Sequence, residues 1–376
     1  MHRPLLVFIY SLLFCSALQA APGNKHAVLD HYSTIAHATF QDSRIQAEAL
    51  KGAIEALLQQ PDEHHLTQAK LAWIQARIPY QQSEVFRFSH SVVDELEGQL
   101  NAWPLDEGLI DYVDEDYEAE LGNMGADVNI IANPTLDFGG MLIDTRTLSP
   151  SVLAELNELG GSEANVASGY HAIEFLLWGQ DLNGTQPGAG NRPASDYEPG
   201  QNCTNSHCTR RRQYLLAAAE LLIQDLQHLE NEWSPKQANN YRAEFLRGDT
   251  HQGITRVLYS MGSLALGELA GERMKVALEA NSTEDEHDCF SDNTHNSHYY
   301  NALGIYNIYK GSYLRSNGET IQGPSLQSLI EGIDPALEKQ INHSFQNTQS
   351  AMQKLVDRAE GSGQFSQQPP MKFDQM

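Results

Sequence analysis

Apolar residues along this chain recur at three- and four-residue spacing, with few β-branched runs or alternating stretches, so the pattern predicts an all-α fold. The periodicity predicts helices over 28–59, 66–96, 151–158 and 163–177. In the second half it predicts them over 204–232, 238–279, 326–330 and 334–360. Asp334 followed by Pro335 reads as a helix start, with a capping carboxylate ahead of a residue whose missing N–H is harmless in the first turn. Gly and Pro crowd 183–200, which places a junction there. The expected organisation is a first helical bundle over 26–200, a second over 201–360 and a Gln- and Pro-rich disordered tail over 361–376.

The two halves carry a weak internal duplication. Each has two long helices, then an irregular acidic segment, then a shorter helical return. Val93 through Asp106 would correspond to Thr283 through Asp292. Pattern alone supports two all-α bundles. One stretch interrupts the apolar run of the helix predicted over 163–177. It is Gly169-Tyr170-His171-Ala172-Ile173-Glu174-Phe175-Leu176-Leu177-Trp178-Gly179-Gln180-Asp181. His171 and Glu174, three residues apart, share one helix face, and an imidazole beside a carboxylate is half of a metal site. A His–Glu pair satisfied within a helical core is the structural alternative. Burying a carboxylate among apolar residues is costly without a partner, which favours a site. The return helix of the second half, 334–360, has no His-x-x-Glu, so any second copy of the site is degenerate.

The same residues resemble the Gly-x-His-x-x-Glu signature of the imelysins, a family that includes insulin-cleaving metalloproteinases and the iron-regulated protein A group of bacterial envelopes. The resemblance extends over Ala76-Arg77-Ile78-Pro79-Tyr80-Gln81-Gln82-Ser83-Glu84-Val85-Phe86-Arg87-Phe88 and Asn101-Ala102-Trp103-Pro104-Leu105-Asp106. It continues over Asn191–Tyr197 and Glu284–His295, spanning nearly the whole mature chain. It implies two four-helix-bundle-like domains. It also implies that Glu84 contributes to the metal site; relatives often add a glutamate three residues earlier, where this chain has Gln81.

Two ligands do not make a site, and bundle proteins gather carboxylates from several facing helices. Glu84 and Asp106 are the expected partners of His171 and Glu174; Asp106, in a Pro-Leu-Asp-Glu context, could equally be a helix cap. Three carboxylates and one imidazole suit a divalent or ferric ion, with iron favoured and manganese, calcium or zinc compatible, better than copper(I). A second constellation, Asp285, His287, Asp292, His295 and His298, lies in one short acidic stretch after Glu284 and could bind ligand across the domain interface.

Composition narrows the setting. His2-Arg3, the apolar run Leu5–Leu13 and Leu18-Gln19-Ala20 form an export signal over 1–20, which predicts a periplasmic or cell-envelope protein. If uncleaved, the segment would associate the chain with the membrane. With 49 acidic against 24 basic residues the net charge is -25, which argues against a nucleic-acid partner and favours cations. Cys203 and Cys208 in a polar loop predict a disulfide in an oxidising compartment; with His207 they could instead clip a metal. Three function classes follow. The chain is a binder of metal or a metal-bearing ligand serving iron uptake with envelope transport components, a metallopeptidase using the same motif, or an envelope scaffold with a vestigial site. The motif lacks the second His of His-Glu-x-x-His peptidases, which favours binding. Nothing in the pattern sets an oligomeric state.

Overall fold

A computed structural model describes residues 24–89, 91–117, 123–184, 186–280 and 285–362. The expected export segment and the tail beyond residue 362 lie outside the described residues, as do Thr283 and Glu284. The fold is all-α, as the periodicity predicts, with two small hairpins added.

The long helices begin where side chains cap them. Asn24 accepts from the Ala27 amide at 3.0 Å and opens α1 (Lys25–Gln59); Asp62 accepts from the His65 amide at 2.8 Å and opens α2 (Glu63–Ser83). Each cap satisfies an amide that has no partner inside the helix. With three residues between them, α1 folds back on α2, and α1 also packs along α7 (Cys208–Glu232). Phe40, Ala47, Leu50, Ile54 and Leu57 line its buried face at helical spacing.

The helix predicted over 66–96 ends early. After Ser83 the chain makes a 3-10 turn, Glu84–Phe86, and Phe88 takes a left-handed φ of 70°. Asp94 accepts from the Phe88 amide at 2.7 Å and the Ser91 amide at 2.8 Å, fixing this exit and starting α3 (Asp94–Leu100). Short helices α4 (Glu107–Ile110) and α5 (Pro150–Leu156) precede α6 (Gly169–Trp178), every residue of which is buried. Between α4 and α5, β1 (Thr135–Phe138) pairs antiparallel with β2 (Met141–Asp144). Gly139 and Gly140, both at positive φ, supply the two-residue turn.

The expected 238–279 helix divides into α8 (Tyr241–Arg247), α9 (Thr250–Gly262), a π-helical stretch (Ser263–Lys275) and α10 (Val276–Ala280). The break follows from Gly248 and from Asp249, which caps α9 through the Gln252 amide at 2.9 Å. The acidic segment was expected to be irregular throughout. From Thr294 it is helical instead, forming α11 (Thr294–Lys310), whose polar first turn hides its period. A hairpin of β3 (Ser312–Leu314) and β4 (Thr320–Gln322) leads to α12 (Leu326–Ile333) and α13 (Pro335–Ala359), the last capped by Asp334 as predicted.

One apolar cluster runs continuously from Val28 to Leu329, drawing on residues either side of position 200. Cys203 and Cys208 form a disulfide at the entrance to α7, so their sulfurs are not available as a metal clip, while Cys289 remains a buried thiol. No helix among the described residues is long and apolar enough to cross a membrane.

Candidate metal centre

Gly169 opens α6 with φ 80°, and a Cβ there would lie 2.4 Å from the Leu100 carbonyl oxygen. Only glycine lets the helix start this close to the end of α3. That approach sets His171 and Glu174 in the protein interior, both fully buried. His171 Nδ1 and Glu174 Oε2 are 2.9 Å apart, and Glu174 Oε1 accepts from both the Ser291 amide at 3.0 Å and its hydroxyl at 2.6 Å. Glu174 is therefore fixed behind the imidazole. The other ring nitrogen, His171 Nε2, is buried without a hydrogen-bond partner.

The segment ahead of α11 packs against this ring. The His171 and His287 rings meet at 4.8 Å between centroids. Ligand atoms of His171, His287 and Asp288, all buried, lie within 4.8 Å of one another, and no other such group occurs among the described residues. Asp288 Oδ2 accepts from Asn293 Nδ2 at 2.9 Å and Ser297 Oγ at 2.5 Å, so the start of α11 orients it. Asp288 Oδ1 accepts from Arg77 Nη2 at 2.7 Å; the same nitrogen is 3.3 Å from His287 Nε2. Arg77, on α2, is held by Asn101 Oδ1 through Nη1 and lies against the rings of Trp73, Tyr80 and Tyr170.

Burial drives the electrostatics. It pushes the His171 imidazole well below its ordinary range, helped by the nearby Arg77 charge, and pushes His287 down likewise, helped by Arg273. Glu174 is pushed well up by burial and by Asp288. Burial pushes Asp288 up too, but Arg77 overrides it and holds the carboxyl at about 2. The result is two neutral imidazoles and one ionised carboxylate, the protonation states a cation requires. Neutral His171 and protonated Glu174 together hold two protons; a cation taken at Nε2 would release one of them, and the proton left on Nδ1 would be donated to Glu174, then the outer carboxylate that orients a metal-binding histidine.

The remaining expected residues lie elsewhere. Glu84 is buried in ion pairs with Arg273 at 2.6 Å and Arg87 at 3.0 Å. Asp106 starts α4 and accepts from Tyr117 Oη at 2.8 Å and from Asn123. Asp292, at φ 55°, accepts from the Gly188 amide at 2.8 Å. His295 is on α11, 3.8 Å from Glu360. His298, one helical turn on, stacks on His287 with centroids 6.4 Å apart, and burial pushes it down to about 3. Asp285 and His287 line a cleft of about 420 Å³, walled also by Trp103, Glu97, Glu268 and Arg273. His287 thus joins cleft and buried cluster. Asp288, Arg77 and Ser291 were not singled out from the sequence. The adjacency of Asp288 to His287, and an arginine inside an apolar stretch of helix, were the available signals.

The model of the imelysin family matches residues 36–372. Iron-regulated protein A of Synechococcus elongatus is 22% identical over 324 residues, 84% of this chain and 71% of that protein. Among solved structures, one described as an iron-regulated protein A precursor from Parabacteroides distasonis superposes with a TM-score of 0.61 at 18% identity, covering 89% of this chain and 87% of that one. An imelysin-like protein from Psychrobacter arcticum gives 0.56 at 13% identity, covering 94% and 87%. At these identities the two structures speak to the fold, while the sequence match takes in nearly every described element from within α1 to α13. On that match the chain belongs to the imelysin family.

Proposed function

We propose that this protein binds a metal ion, iron favoured and zinc or manganese compatible, at His171, His287 and Asp288, with Glu174 orienting His171. The observation that carries this reading is the buried Nε2 of His171, without a hydrogen-bond partner, on a residue grouped within 4.8 Å with ligand atoms of His287 and Asp288. A buried imidazole nitrogen left without a partner is costly, and a metal would satisfy it. Three protein ligands leave open positions on the ion for water or for a metal-bearing molecule. The cleft at His287 would admit such a ligand, and the protein would serve iron handling in the periplasm or cell envelope beside transport components. The ion would there act as bound cargo or as a fixed point for a ligand. Hydrolysis is disfavoured, because Glu174 has one oxygen on His171 and the other on Ser291 and is not placed as a general base.

The test is metal content by mass spectrometry and calorimetric titration with iron(II), iron(III), manganese(II) and zinc(II). Wild-type protein should take up about one ion, as a single three-ligand centre implies. His171→Ala and His287→Ala, still folded by circular dichroism, should lose it. Equal uptake by all three proteins would end the assignment.

A further inference from the structure

A second cavity, of about 400 Å³, lies between α2, α11 and the β3 hairpin, with α1 contributing Gln46. It shares no described lining residue with the metal centre or with the cleft at His287. Its charge sets it apart. In a chain of 49 acidic residues, none of the described residues that line it carries a carboxylate. The one charge among them, Arg315, is matched by Asp42 at 2.7 Å and also donates to Gln41 Oε1 at 2.7 Å. Tyr313 Oη donates to the same Asp42 at 3.0 Å, so this wall is fixed.

The rest of the lining is uncharged, with polar groups set among apolar surface. Asn307 Nδ2 donates to Gln82 Oε1 at 2.8 Å, and Gln82 Nε2 to the Ile78 carbonyl at 3.1 Å, so these two amides tie α11 to α2. Gln46, Gln75 and Tyr300 make no side-chain hydrogen bond to another described residue. Pro79, inside α2, has no N–H, so the Gln75 carbonyl also lacks its donor four residues on. Two side-chain amides, a phenol and a carbonyl are thus left to outside partners, beside the Tyr300 ring, Leu303 and a Leu314 that is 63% exposed.

We propose that this cavity binds an uncharged saccharide of one or two rings. A carboxylate, phosphate or ammonium ligand would meet no free countercharge here. A wholly apolar ligand would cover the amides and leave them unpaired. A hydroxyl serves either half of an amide, as donor or as acceptor, and the C–H face of a sugar ring can lie on Tyr300 and Leu314. An extended peptide is a poorer fit. Strand-edge recognition runs through backbone groups, whereas side chains supply nearly all of the polar contacts here. The volume is at the low end of the roughly 300–1,000 Å³ of small-molecule sites, which suits a mono- or disaccharide. Binding here does not depend on the metal reading.

Ligand-observed NMR and calorimetric titration of the full-length protein with glucose, galactose, N-acetylglucosamine, maltose and tetra-alanine test this. At least one of the sugars should bind with a dissociation constant of about 1 mM or tighter, ordinary for a ligand of this size. Gln75→Ala and Tyr300→Ala, both folded by circular dichroism, should each weaken that binding by about tenfold, the effect of one lost hydrogen bond or ring contact. Gln75 is exposed, so Gln75→Ala tests the site even where Tyr300→Ala misfolds. No binding of any of these sugars overturns the proposal, as does sugar binding that the folded variants keep at wild-type strength. Binding of tetra-alanine in preference to every sugar overturns it in favour of a peptide site. The metal reading stands or falls on its own titrations.

Discussion

His171 presents one nitrogen to Glu174 and leaves the other bare, and the two halves of that arrangement separate in their consequences. Removing the ring removes a ligand. Glu174→Gln keeps shape and volume but weakens the acceptor that fixes ring and tautomer, so metal affinity should drop by roughly 10- to 100-fold without being abolished. Loss as complete as in His171→Ala would make Glu174 a direct ligand instead. A second carboxylate, Asp225, reports on folding rather than on the site. Burial pushes its pKa up to about 6, against which a hydrogen bond from Gln99 at 2.8 Å is a minor pull. The folded state then holds a proton that the unfolded chain releases near 3.8, so Asp225 supports the fold in acid, and that support is lost as pH rises through about 6. Asp225→Asn should be more stable than wild type at pH 7.5, on the order of 1–3 kcal/mol, with the gap nearly closed at pH 4. Urea unfolding at both values checks this; a gap independent of pH would place the carboxylate in a different state.

At the scale of the element, α6 owes its position to its first residue. Gly169 combines a left-handed backbone with close contact to Leu100, so Gly169→Ala meets both strain and a clash. It should lose about 2–4 kcal/mol in urea unfolding, and a loss under about 0.5 kcal/mol would mean that α3 yields easily. The helix itself was legible as an apolar run carrying His171 and Glu174; its register against α3 was not, because that depends on a contact 69 residues away in sequence, between Ser168 Oγ and the Gln99 carbonyl. The same limit explains the site. His171 could be read from its own helix, and His287 from its acidic stretch. Grouping them with Asp288 required knowing that the segment ahead of α11 folds over α6. Glu84 was a candidate through its apolar run and the family resemblance, and Asp106 through its place after Trp103-Pro104. Arg273 and Arg87 claim the first, and Tyr117 and Asn123 the second, through contacts that no local spacing encodes. The helices expected over 66–96 and 238–279 break after Ser83 and at Gly248, where backbone exits override the apolar period.

Across the whole molecule, the centre draws its parts from distant stretches: Arg77 from α2, His171 from α6, and His287 with Asp288 from the approach to α11. The unfolded chain holds these residues far apart, so an ion that binds the assembled group binds the folded state selectively and must stabilise it. At a free-ion concentration of 100 times the dissociation constant the gain is about 2.7 kcal/mol. For a chain of this length that corresponds to a rise of a few degrees in Tm, since the unfolding entropy grows with size. The shift should scale with the logarithm of metal concentration, reverse on adding a chelator, and vanish in His287→Ala. Surface binding to a chain of net charge -25 would behave differently. It would be screened by salt, whereas ligands at a buried centre are largely shielded from it. Thermal melts with manganese(II) at low and at about 0.5 M sodium chloride, well into the range where exposed charges are screened, therefore separate the two. A metal-induced shift that survives salt in wild type and is missing from His287→Ala supports the interior site. A shift that salt removes, or that the variant retains, would assign the effect to the acidic exterior.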